Sequence, residues 1–343
     1  MAVSSTLGAF SDQAFGAATA AYTVALICTA VEFSSRRIAA RDESSGSVAR
    51  TDTADQLVRA GALTRDGRPD GIPIVPTASP YGHVTDTPRT AVPWGERFGR
   101  AGLAVAVLGF VAHLVSIVTR GFAADRLPLG NMYEFTSAIS AAVIGTFLVV
   151  RLRHRDLALG VFVLTPVTLL MYVNGALLYV PVAELQPALN SYWKWIHVTT
   201  VSLSSGVLMF SGIASLLYVL RQRWESRGAD QRSVWSKLPT LARIDRIAYR
   251  TAILAFPVYT FAVITGALWA EVAWGRYWNW DPKETCAFIT WVIYAGYLHA
   301  RATAGWRGTK AAWISVVGLV SIVFNLFFIN MVIAGLHSYA GLN

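Results

Sequence analysis

"AGLAVAVLGFVAHLVSIV", residues 101–118, runs without a formal charge and holds one histidine. At about 1.5 Å per residue it measures about 27 Å, close to the roughly 30 Å of a bilayer's hydrocarbon core. Seven more runs of this character lie at 14–33, 132–150, 157–180, 196–220, 249–270, 285–300 and 311–335. Inside lipid the backbone must satisfy its own polar groups, so runs of this length are read as helices. The sequence therefore predicts an all-α integral membrane protein with about eight transmembrane helices. Composition agrees, because 54% of the 343 residues are hydrophobic and 14% charged, too apolar for an ordinary soluble domain. The first run is alanine-rich and the least marked. It lacks the basic start and small-residue cleavage site of a signal peptide and is read as a span.

The formal net charge of +9 is unevenly placed. Of 29 Lys and Arg residues, 24 fall in 34–100, 151–155, 221–250 and 301–310, while the alternate segments hold only Arg120, Arg126, Lys194, Arg276 and Lys283. Leaving out 34–100 still gives 14 against 5. This asymmetry predicts basic loops on the cytoplasmic side. Both termini and the loops at 119–131, 181–195 and 271–284 then face outward. The surplus is topological, with contact to anionic lipid headgroups, and no nucleic-acid partner is expected. Residues 1–33 form the first helix and 100–343 a seven-helix core. Between them, 34–99 is rich in Arg, Asp, Ser, Thr and Gly, with six of the thirteen prolines between Pro69 and Pro93. It reads as a cytoplasmic, mostly disordered tether. No phosphate-binding or nucleophile-elbow motif is present, which argues against ATP-driven transport by this chain alone. Cys28 and Cys286 form no C-x-x-C and read as small buried thiols.

Chemistry gathers at "WGRYWNWDPKET", residues 274–285. Four of the twelve tryptophans lie between Trp269 and Trp280, and Trp193 and Trp195 stand at the outer start of the fifth span. An interfacial belt is the plain alternative, but belts spread one or two aromatics per span. Six at two entrances fit the wall of a site for a flat apolar ligand. "DPKE" also reads as a helix start, with Asp281 as N-cap, Pro282 in first position and Glu284 at the capping-box place. Arg276 and Lys283 either meet a ligand's carboxylates or snorkel to the interface.

His197 and His337 share the outer depth of this motif, and two imidazoles converging there can ligate a metal or haem iron. Each alone could equally be an interfacial histidine bonded to water or backbone. His299 lies in the inner half of the seventh span, without a partner in this chain. His113 reads as a buried, hydrogen-bonded histidine, and His83 and His154 as solvated. In "RLPLGNMYEF", residues 126–135, Asn131 is a helix cap. Glu134 stands just inside the interface, placed there structurally or facing the same pocket.

These motifs carry a family resemblance. "WGRYWNWDPKE" fits the W-G-x-x-W-x-W-D-x-x-E pattern of the WWD-domain, haem-handling membrane proteins. With "LPLGNMYEF", "SYWKWIHV", "YLHARATAGWRG" and "LHSYAG", the chain resembles the CcsA/ResC family (sometimes labelled CcsB) from about residue 100 onward. This family is the membrane subunit of system II cytochrome c biogenesis. The resemblance implies that His197 and His337 hold the iron of haem b, with Trp274, Gly275, Trp278, Trp280, Asp281 and Glu284 forming the surface beside the ring. It implies that His299 belongs to an inner haem site completed by a CcsB/ResB-type partner subunit. The implied function is to relay haem outward across the bacterial cytoplasmic membrane and present it for thioether attachment to the C-x-x-C-H motif of apocytochrome c. The chain would be the haem-presenting subunit of a synthase, active with its partner and served by thiol-reducing, thioredoxin-like proteins. The alternatives are a CcmC-like haem-delivery protein, a transporter, and a di-haem electron-transfer oxidoreductase.

Overall fold

Eight α-helices account for most of the computed structural model, which describes residues 5–59, 94–154, 157, 159–183, 191–230, 233–303, 306, 308–333 and 335, with 36–59 as backbone only. They are α1 Ser5–Arg59, α2 Trp94–Ala124, α3 Met132–Arg153, α4 Gly160–Leu177, α5 Tyr192–Ser226, α6 Leu241–Trp274, α7 Pro282–Ala302 and α8 Thr309–Phe324. A π-helical turn, Asn325–Ile329, extends α8, and there is no strand among the described residues. All eight expected runs fall on these helices. Much of the expected tether, with His83, lies at 60–93, outside the described residues. Its first part continues α1 as helix through Arg59.

Seven helices carry a stretch long and apolar enough to cross a membrane, including Ser5–Ser35 of α1 and Thr309–Ile329. The exception is α7, where Lys283, Glu284, His299 and Arg301 dilute the apolar residues. Its geometry is nonetheless that of a crossing. Its 21 residues span about 31 Å, and it is fastened at both ends of the bundle. Lys283 at its start donates to Asn330 Oδ1 (2.5 Å), and Arg301 at its finish pairs with Asp245 (2.5 and 2.9 Å).

The same kind of contact fixes the direction of the other helices. At the motif end, Asp12 accepts from Tyr179 (2.6 Å), and Arg120 and Arg126 both meet Glu134 at 2.8 Å. At the opposite, basic end, Arg151 meets Glu32 (3.1 Å) and Lys237 donates to the Phe33 carbonyl (2.8 Å). There too, Thr309 donates to Gln222 (2.7 Å). Successive helices thus alternate in direction, which short connections require of an up-and-down bundle. The most extensive helix pairing, α1 on α2, runs along a buried stripe of Gly95, Gly99, Gly102, Ala106 and Gly109. Apolar burial alone brings no advantage between helices in lipid, so small residues that let backbones approach are what holds them.

Candidate ligand site

The α6 helix stops at Trp274 because Gly275 takes a left-handed conformation (φ +70°) and returns its N–H to the Glu271 carbonyl (2.8 Å). Few side-chain-bearing residues accept that backbone, so glycine is the natural terminator. The chain then turns through residues 275–280 and starts α7 with the full capping box read from the sequence. Asp281 accepts from Lys283 N (3.2 Å), and Glu284 Oε2 accepts from Asp281 N (3.2 Å). Glu284 Oε2 also takes the N–H of Asn279 (2.9 Å). One carboxylate oxygen therefore holds both neighbours of Trp280, whose φ of +57° is unusual for a bulky residue. Trp280 itself is 66% exposed and stands edge-on to Trp278.

Behind this turn lies a cavity with an empty volume of about 1290 Å³, its open mouth included. Its walls come from α3, α5, α6, α7 and the π-helical end of α8. Of the residues singled out in the sequence, Asn131, His197, Trp269, Trp274, Trp278, Lys283 and Glu284 line it. Gly275, Trp280 and Asp281 build the turn but are not part of the lining, and neither Trp193 nor Trp195 reaches it.

His197 is held from three directions. Its Nδ1 lies 2.7 Å from the Ala262 carbonyl, and a carbonyl can only accept, so Nδ1 carries the proton and the Nε2 lone pair is the ligating position. The ring lies nearly parallel to Trp269 (14°, centroids 6.1 Å apart). A Cβ on Gly266 would come within 2.7 Å of Cε1 and 2.8 Å of Nδ1, so the absent side chain is the slot into which the imidazole fits. A ring nitrogen fixed by a backbone carbonyl is the usual companion of a metal-ligating histidine. Gly266 was not legible as part of the site, since it marks a close approach only once α5 and α6 are brought together. The same holds for Asn325 and Asn330, cavity residues at the start and just past the end of the π turn, a distortion that often accompanies function.

The remaining histidines sort as follows. His113 is fully buried, its Nδ1 3.2 Å from the Tyr22 hydroxyl and its Nε2 2.8 Å from Ser137 Oγ, as expected of a structural histidine. His154 is exposed at the end of α3. His299 stands at the basic end, exposed, on the same strip of α7 as Ile289, Val292 and Gly296. His337 lies outside the described residues. Gly335, two positions earlier, is close to the start of α7, where an added Cβ would meet Asp281 Oδ1 at 2.7 Å. Asn131 caps α3 by accepting from Glu134 N (2.9 Å), and Glu134 is engaged by Arg120 and Arg126 without lining the cavity. Cys286 is buried and Cys28 half-buried, both as free thiols.

Comparison with known proteins places this geometry among relatives. The profile of the family described as "Cytochrome C assembly protein" matches residues 102–337. The "Cytochrome c biogenesis protein CcsA" of Trieres chinensis is 31% identical over 282 residues, covering 73% of this chain and 89% of the relative. That of Gloeothece citriformis is 33% identical over 297 residues, with the same coverage. Among solved structures, "Cytochrome c Heme Lyase CcmF" superposes with a TM-score of 0.59 at 15% identity, over 94% of this chain. The chain spans 47% of that protein's length, and at this identity the likeness is one of fold.

Proposed function

The chain belongs to the cytochrome c assembly family, and on that premise we propose that it is a haem-presenting membrane subunit of cytochrome c biogenesis. The observation that carries this reading is His197, whose Nδ1 is fixed on the Ala262 carbonyl in a slot left by Gly266, at the wall of an aromatic cavity. The residues fit haem as a substrate. His197 offers a neutral imidazole to the iron, and His337, close in sequence to Gly335 beside α7, is the second ligand. Trp269, Trp274 and Trp278 supply flat apolar wall. Gly275, Asp281 and Glu284 hold the turn that carries Trp278 and Trp280.

Haem brings two vinyl groups, across which the thiols of an apocytochrome C-x-x-C-H motif add, each S–H giving one thioether with no oxidant consumed. The protein's share is to orient the ring and exclude water while that addition occurs. The motif end faces outward, as the distribution of basic residues indicates, on the far side of the bacterial cytoplasmic membrane. His299, on a strip of α7 turned away from the bundle, suits an inner haem site shared with a CcsB/ResB-type subunit. Thioredoxin-like proteins would keep the apocytochrome thiols reduced. The electron-transfer alternative would need His113 as a ligand, and both of its ring nitrogens are already engaged.

The test is the visible spectrum of the purified protein, alone and with its partner, against the His197→Ala/His337→Ala variant. A bis-histidine spectrum lost or weakened in the double variant is expected, with further haem gained beside the partner. A spectrum unchanged by the double substitution would remove the axial assignment.

A further inference from the structure

Lys194 lies in the first turn of α5, one turn before His197, and lines the same cavity. It is 2% exposed. Its Nζ meets no hydrogen-bond acceptor among the described residues, and the Trp195 ring lies 4.3 Å from it. A lysine that merely snorkelled would carry its charge to water, and this one does not. An ammonium taken out of water without an acceptor is costly, and a cation–π contact offsets part of that cost. The carboxylates that could answer it are committed elsewhere. Glu134 is bound by Arg120 and Arg126 at 2.8 Å each. Glu284 is held by Oε2 on the backbone at the start of α7, and its buried Oε1 meets no donor among the described residues, Lys194 included. Lys283, the other cation of the lining, already donates to Asn330.

We infer that Lys194 receives a carboxylate arm of the molecule that His197 ligates, and so sets which edge of that molecule lies at the start of α5. Residues three apart on a helix share a face about 4.5 Å apart along its axis, so one ligand can meet both. This assignment rests on the haem reading above, in which the arm is a propionate. The propionates lie on the opposite half of the ring from the vinyls. Holding one at Lys194 therefore turns the vinyls away from α5 and toward the rest of the cavity. Lys194 is a positioning residue, distinct from the axial ligands.

The test titrates the purified full-length protein with haem b and with haem b dimethyl ester, which lacks the anionic arms. Wild type is compared with Lys194→Met and Lys194→Arg. Wild type should bind haem about tenfold more tightly than the ester, as a charge-assisted hydrogen bond warrants. Lys194→Met should lower haem affinity to that of the ester, leave ester binding and the axial spectrum unchanged, and be rescued by Lys194→Arg. Without ligand, Lys194→Met should melt no lower than wild type, since it deletes a buried charge. Equal affinity of wild type for haem and ester overturns the inference, even where Lys194→Met fails to fold. So does a haem affinity that Lys194→Met leaves unchanged. If wild type binds neither compound, or His197→Ala keeps the wild-type spectrum, the haem reading fails and this assignment falls with it.

Discussion

Gly266 is the residue on which the candidate site is most narrowly balanced. Any Cβ there collides with the His197 ring, and the neighbouring Trp269 leaves that ring little room to tilt. Gly266→Val should therefore displace the imidazole and abolish the haem spectrum about as fully as His197→Ala. The overpacking should cost about 1–3 kcal/mol of stability, read as a lowered melting midpoint in detergent. Retention of a wild-type spectrum would show that the slot is not needed. His197 and the tryptophans of 269–278 were legible in the sequence because charged or aromatic residues at span ends are conspicuous against an apolar chain. Gly266 and Lys194 were not, because their meaning depends on which helix faces meet. Periodicity assigns residues to helices but does not say how two helices are registered.

At the level of elements, α2 and α7 show how polar groups inside spans divide between holding the bundle and serving the cavity. On α2, His113 joins Tyr22 of α1 to Ser137 of α3 through both ring nitrogens. His113→Ala should cost about 1–3 kcal/mol, the penalty for orphaning buried partners, and leave the axial spectrum of bound haem intact. A loss of haem without a loss of stability would reverse that assignment. On α7 the sequence reading was accurate locally, since "DPKE" forms the expected capping box. It could not foresee that Glu284 also grips Asn279 and so fixes Trp280 from both sides, because a left-handed tryptophan has no signature in residue order. Nor could it see the π turn at Asn325–Ile329, whose residue pattern is that of the α-helix it interrupts.

Across the whole molecule, the contacts at the two ends of the bundle separate the aromatic motif from the basic loops, and the charge asymmetry predicts that the basic end faces the cytoplasm. A cysteine introduced as Tyr277→Cys, at an exposed position of the motif turn, should react with an impermeant maleimide in intact cells. One introduced as Arg227→Cys, exposed after α5, should react only after permeabilisation, in a background lacking Cys28 and Cys286. The reverse pattern would invert the topology and move the site to the cytoplasmic face. The count of helices, their spans and their alternation were all legible, because hydrophobic length and charge placement are properties of composition along the chain. The acceptor that orients His197 is a main-chain oxygen of α6, and this has a consequence for inheritance. No single codon change at position 262 deletes that oxygen, so the wall of the cavity can be repainted over generations while the imidazole keeps its bearing, provided the slot at Gly266 stays open. What selection must guard besides that slot is the longitudinal alignment of α5 against α6, a trait spread along the seam between the two helices.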